Sequence, residues 1–153
     1  MNYSKALISD FENIKCIRIN THKMHYDNEP KFFKEEDNFF TFEFFKEKIE
    51  KGQIFTLTIN QELVGYIIIN EVIFENNPMM KDQRILLVEE ITVKDKHQNK
   101  GYGKELMKRI EEYARENKYT SIELNVWGFN DNAIKFYKKL GMKVSRIKME
   151  KRF

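Results

Sequence analysis

The run Gln98-Asn99-Lys100-Gly101-Tyr102-Gly103, followed by Lys104, concentrates residue types that handle anions. It lies where a strand-like stretch, Ile85 to Val93, gives way to an amphipathic one. In the latter, Gly103 to Asn117, Leu106, Ile110, Tyr113 and Ala114 recur at helical spacing. A helix start carries unpaired N–H groups and partial positive charge, which favours a bound anion. Gly101 and Gly103 remove Cβ atoms where backbone amides must approach phosphate oxygens, and they tolerate unusual backbone angles. Lys100 and Lys104 add charge-assisted contacts. A glycine-containing helix entry that binds nothing has the same local pattern, so the two glycines alone leave both readings open. Two familiar phosphate loops do not fit. No Gly-x-x-x-x-Gly-Lys-Ser/Thr run occurs in the chain. A dinucleotide fingerprint needs a third glycine where Leu106 stands, and a tighter turn than Val93 to Gly101 provides.

Several elements must position this loop. Tyr3 to Ile8 reads as a short strand, with Ser9 or Asp10 capping a helix that covers Phe11 to Thr21. A second helix spans about Thr41 to Lys51 and stops at Gly52. Ile54 to Ile59 and Leu63 to Phe74 are strands joined by a turn at Asn60-Gln61-Glu62. In Ile85 to Val93, strict alternation puts Glu89 with Leu87, Ile91 and Val93 on one face, and Glu90 with Val88 and Thr92 on the other. Ser121 to Trp127 alternates as a strand, and Asn130 to Leu140 is a helix with Ala133, Phe136, Tyr137 and Leu140 inward. Val144 to Met149 reads as a last strand. Strands mixed with helices in this order predict an α/β or α+β sheet with helices on both faces, in one domain over residues 1–153.

Two segments carry a family resemblance. Gln98 to Gly103 resembles the Gln/Arg-x-x-Gly-x-Gly/Ala signature of the GNAT acetyltransferase superfamily. Asn130-Asp131-Asn132-Ala133-Ile134-Lys135-Phe136-Tyr137-Lys138-Lys139-Leu140-Gly141-Met142 resembles its Asn-x-x-Ala-x-x-Phe-Tyr-x-x-x-Gly-Phe segment, with Met142 replacing the usual aromatic. The resemblance covers roughly Leu63 to Phe153. It implies a mixed, mostly antiparallel sheet of about six to seven strands flanked by about four helices. It also implies acetyl-CoA as cosubstrate, CoA as product, and direct attack by a primary amine of a small molecule or peptide. By resemblance, Tyr137 protonates the departing thiolate and Glu89 accepts the amine proton, with Glu90 or a water chain as alternatives. A backbone N–H near Ile91 meets the thioester oxygen, and the backbone of Thr92 and Val93 pairs with the pantetheine arm. Gln98, Asn99, Lys100, Gly101, Tyr102, Gly103 and Lys104 hold the pyrophosphate, with Asn130 and Phe136 contributing to the cofactor site. Plain core packing for Tyr137 and an ordinary helix N-cap for Asn130 remain alternatives. A non-catalytic acyl-CoA sensor is the rival function, and homodimers are common in such proteins.

The rest of the chain narrows the classes. A net charge of +3 without a clustered basic run argues against nucleic acid. A single cysteine, Cys16, excludes an internal disulfide, and its helical context suggests a buried thiol. No apolar run approaches the ~18 residues of a membrane helix and no apolar leader is visible, so a cytosolic, non-membrane protein is expected. His22 and His25 lack a third metal ligand and read as solvated. Asn28 to Phe45 combines seven phenylalanines with Glu35, Glu36 and Asp37, either as an acceptor-site wall or as aromatic core beside a solvated acidic turn.

Overall fold

A computed structural model describes residues 1–153. Five strands form one sheet in sequence order: β1 (Asn2–Lys5), β2 (Ile54–Ile59), β3 (Glu62–Phe74), β4 (Gln83–Val93) and β5 (Ser121–Leu124). All neighbours are antiparallel except β4 and β5. Four helices accompany them: α1 (Phe11–Asn28), α2 (Phe42–Glu50), α3 (Tyr102–Glu116) and α4 (Asp131–Lys139).

The local chemistry explains the boundaries. Asn60 and Gln61 both have positive φ (47° and 66°), the requirement of a two-residue hairpin turn whose twist suits the flanking strands. Thr41 caps α2, its hydroxyl accepting from the Phe44 N–H at 3.2 Å. Asp10 stands at the N-cap of α1, as expected, but its carboxylate makes no cap bond into that helix; it accepts from the Leu7 N–H at 2.8 Å and closes the turn before α1. The first strand accordingly ends at Lys5, short of the expected Ile8.

Each sheet face has its own core. On one face, Leu57, Val64, Ile67, Leu86 and Val88 pack under Leu106, Met107 and Ile110 of α3. On the other, Ile54, Tyr66 and Ile68 pack under Ile14 and Ile17 of α1 and Phe45 of α2. The helix count and the mostly antiparallel sheet match expectation, but the strands number five, not six or seven. The missing strand is Val144 to Met149: residues 143–153 adopt no regular structure and are exposed. β5 also stops at Leu124 instead of Trp127. Cys16 is exposed on α1, contrary to the buried thiol anticipated from its helical setting, because the buried stripe of α1 runs through Ile14 and Ile17. No helix is long and apolar enough to cross a membrane.

Candidate active site

The register between β3 and β4 slips at one point. Ile68 faces Glu90 and Ile69 faces Val88, which leaves Glu89 as an extra, unpaired residue: a β-bulge. The inward-facing series on β4 changes parity there. Leu86 and Val88 belong to the α3-side core before the bulge, and Ile91 and Val93 pack against that same core after it. Both glutamates therefore reach toward the α1/α2 side, correcting the expectation that alternation separates them. Glu89 pairs with Lys48 of α2 (Oε2 to Nζ, 2.7 Å). Glu90 pairs with Arg18 of α1 (2.6 Å) through Oε2, and its Oε1 accepts from the Tyr66 hydroxyl. The Arg18 guanidinium also lies 4.5 Å from the Phe40 ring centroid. Both oxygens of Glu90 are thus engaged, whereas Oε1 of Glu89 has no protein donor. Burial and the neighbouring Glu90 charge drive the Tyr66 hydroxyl well above its ordinary range, so it remains a donor.

The sheet opens at the same place. β5 pairs with β4 only from Ile85 to Val88, so from Glu89 to Val93 the strand has no neighbour on that side. The Lys94 N–H donates to the Val64 carbonyl at 2.8 Å, which turns Lys94 toward β3. Alternation then directs the N–H and C=O of Ile91 and Val93 into the gap and those of Thr92 toward β3. A ligand lying in the gap meets Ile91 and Val93, while Thr92 is committed to the sheet.

Past β4, Glu62 at the start of β3 gathers Lys94, Lys96 and His97 (3.5, 2.7 and 3.3 Å). The Lys96 contact leads in holding the Glu62 carboxyl down to about 2. This clasp fixes the turn that launches the glycine loop. The Gln98 side chain donates back to Asp95 (2.8 Å) and the Val93 carbonyl (3.4 Å), so it braces the turn. Asn99 has φ 59°, and Gly101 at φ 85° is the left-handed residue before α3. The first backbone donation into the helix is Glu105 to Gly101 at 3.1 Å. The amides of Asn99, Lys100, Gly101, Tyr102, Gly103 and Lys104 donate to no protein acceptor, which gives a row of free N–H groups at a helix start. Lys100 and Lys104 are exposed beside them. A Cβ at Gly103 would lie 3.3 Å from Cζ of Phe136, so Gly103 lets α4 seat its ring against the loop.

Asn130 accepts from the Ala133 N–H at 3.1 Å and caps α4. Tyr137, one residue beyond Phe136, packs against the α3-side core, and burial alone pushes its phenol up to about 12. The aromatic segment after α1 divides in two. Phe40 and Phe45 are core. Phe32 and Phe33 meet Trp127 edge-on (4.8 and 5.1 Å), and His25 stacks on Phe33 (5.3 Å). Phe129 approaches His25 at 6.0 Å, so the cluster ties the segment after α1 to the segment after β5. His22 is held at the Lys34 carbonyl (2.8 Å) and against Phe39. These histidines are packed rather than solvated, and burial is the main influence lowering His25. Glu35, Glu36 and Asp37 form the solvated acidic turn. A separate concavity lined by Lys51, Gln53, Asn70, Glu71, Arg84 and Tyr119 lies at the far end of β4 from the bulge, its polar side chains largely paired with one another.

Arg18, Lys48, Glu62 and Tyr66 escaped the sequence reading because each acts through a contact distant in sequence, from 24 to 72 residues for the bonds to Glu89 and Glu90. The Lys94, Lys96 and His97 cluster was the one local signal that an acidic partner was needed.

Against this geometry, the acetyltransferase (GNAT) family model matches residues 18–142. The chain belongs to the GNAT acetyltransferase family. The BH1408 protein of Bacillus halodurans, solved as a mutant, superposes with a TM-score of 0.96 at 21% identity, over 100% of this chain and 99% of that one. A Brucella melitensis structure described as a ribosomal-protein-alanine N-acetyltransferase superposes at 0.70 with 16% identity, over 100% of both chains. A predicted acetyltransferase from Clostridium acetobutylicum, solved with acetyl-CoA, superposes at 0.68 with 16% identity, over 99% of this chain and 95% of that one. At such identities the structures establish a shared fold. Family membership makes this GNAT chain an acyl-CoA-dependent acetyltransferase, and acetyl-CoA is the family's cosubstrate.

Proposed function

We propose that this GNAT protein transfers the acetyl group of acetyl-CoA to a primary amine of a small molecule or peptide, by direct attack in a ternary complex. The observation that carries this reading is the coincidence of the Glu89 bulge with the parting of β4 from β5. An acyl group in that gap lies beside the free N–H of Ile91 and below a carboxylate with one uncommitted oxygen. The six free amides of residues 99–104 suit the pyrophosphate, and the outward C=O and N–H of Val93 suit the amide-bearing pantetheine arm.

In this mechanism Glu89 Oε1 takes a proton from the amine, directly or through water. The amine nitrogen forms its bond to the acyl carbon as the C–S bond breaks. Ile91 N–H donates to the acyl oxygen as negative charge develops there. Tyr137 gives its phenolic proton to the departing CoA sulfur and recovers one from solvent. Because its pKa is raised to about 12, Tyr137 stays protonated across the usable pH range, as a proton donor must.

The test is release of free thiol from acetyl-CoA against a panel of polyamines, amino acids, aminoglycosides and peptide N-termini. One class should support turnover, and Tyr137→Phe should lower kcat on it by about 10²-fold or more. Unchanged kcat in that variant at every pH would remove Tyr137 from the mechanism. The ion pairing of both glutamates favours a second reading, a module that binds acyl-CoA without turning it over. Calorimetric binding of acetyl-CoA with no thiol release across the panel would support that reading instead.

A further inference from the structure

Helix α2 carries a charge where its pattern calls for an apolar residue. Phe45 and Lys48 are its two buried positions, three residues apart on one face, and Ile49 packs against the same core. Lys46 and Lys51 of the same segment point to solvent, and each pairs with a glutamate one turn away. Lys48 alone turns inward, and it is the one charged residue of the chain that is buried. Burying an ion costs several kcal/mol even when it is paired, whereas an apolar residue of similar length would extend the core. The packing of α2 therefore does not account for a lysine at this position.

Its partner does. The Lys48 Nζ lies 2.7 Å from Oε2 of Glu89 and 5.6 Å from the Phe44 ring centroid. No other side-chain or backbone donor reaches the Glu89 carboxylate. Glu89 is also the extra residue of the bulge, so no residue of β3 stands opposite to brace it. Glu90, one residue on, is held instead from both α1 and β3, by Arg18 and Tyr66. The rotation of the Glu89 side chain thus depends on one contact, and that contact takes Oε2 and leaves Oε1.

We propose that Lys48 is a positioning residue for acetyl transfer, holding Glu89 by Oε2 so that Oε1 stays fixed and free beside the gap between β4 and β5. The inference rests on the reading of Glu89 as the base, and Lys48 acts only through it.

The test is a double-mutant cycle on thiol release, run with acetyl-CoA and the panel amine that the parent chain turns over fastest. Lys48→Met should lower kcat about 10-fold with KM for acetyl-CoA unchanged, and Lys48→Arg, which restores a charged donor, should recover most of the loss. In a Glu89→Gln background, Lys48→Met should change kcat by less than about twofold, because no base remains to be positioned. An equal loss in both backgrounds, or no loss in the parent background, overturns the proposal while leaving Glu89 as the base. Undiminished kcat in Glu89→Gln alone is a different failure, which removes the base and this inference together. Crystal structures of the parent and Lys48→Met chains read the position without turnover. Glu89 should hold one conformer in the parent and leave it in the variant. A Glu89 conformer unchanged by Lys48→Met overturns the proposal even where no panel amine is acetylated. Should Lys48→Met fail to fold, Lys48→Gln, which stays polar but is uncharged and too short to reach Glu89, takes its place in both measurements.

Discussion

Glu89 and Glu90 are neighbours of the same residue type, yet their surroundings assign them different work. Glu90 is clasped on both oxygens by Arg18 and Tyr66, in the layer between α1 and the sheet. Its charge is offset, and removing Arg18 would leave it part-buried without a counter-ion, held only by the Tyr66 hydroxyl, so Arg18→Met should destabilise the fold by about 2 kcal/mol in urea unfolding. Glu89 keeps one free oxygen. Glu89→Gln should therefore lower kcat about 10²-fold with little change in unfolding midpoint, and Glu90→Gln should do the reverse, shifting the midpoint more than kcat. Equal kcat losses in the two variants would count against Glu89 as the particular base. His25 makes a separate, pH-dependent contribution. Burial lowers its pKa in the fold, with His22 acting in the same direction and Glu90 opposing. The unfolded chain then binds the proton more readily, so the contribution is fully present above about pH 6.5 and declines as pH falls through the folded value. Melting temperature measured from pH 7.5 to 5 should fall less steeply in His25→Gln than in the parent.

At the scale of elements, the decisive device is a strand that changes face part-way along. The bulge at Glu89 lets β4 contribute Val88 and Ile91 to one core while directing both carboxylates to the opposite side. The glycine loop depends on a comparable arrangement. It leaves β4 through a turn clasped by Glu62, then enters α3 through Gly101 at φ 85°. A side chain at that angle costs about 1 kcal/mol before any contact is counted. Gly101→Glu adds a charge beside the free amides, so it should abolish measurable acetyl-CoA binding by calorimetry while the chain remains folded. Glu62→Gln should loosen the launch of the loop more gently, raising KM for acetyl-CoA several-fold with kcat nearly unchanged. A drop in kcat with constant KM would place Glu62 elsewhere in the mechanism.

Across the whole molecule, the sheet separates two cores, one under α3 and one under α1 and α2. α3 and α4 supply the loop and the phenol from one side. α1 and α2 supply the partners of the glutamates from the other. Leu106 anchors α3 in its core and is fully buried, so Leu106→Ala should cost about 3 kcal/mol of stability by denaturant titration. The aromatic cluster of Phe32, Phe33, Trp127 and His25 ties the segment after α1 to the segment after β5.

Much of this was written locally in the chain. The hairpin at Asn60-Gln61, the helix at Gly103 to Asn117, the capped helix at Asn130 and the glycine loop rest on contacts within a few residues, where periodicity, capping and backbone angle act directly. The family follows from two such local segments at fixed spacing. What the tertiary structure decided is of another kind. Alternation on β4 fails at the bulge because the slip arises from pairing with β3, which no local pattern encodes. The partners of Glu89 and Glu90 come from helices 41 and 72 residues away. The packing of His22 and His25, the exposure of Cys16 and the unpaired state of Val144 to Met149 likewise depend on what the rest of the chain brings alongside. Short-range chemistry determined the glycine loop; long-range packing determined which carboxylate was left with a free oxygen beside the gap.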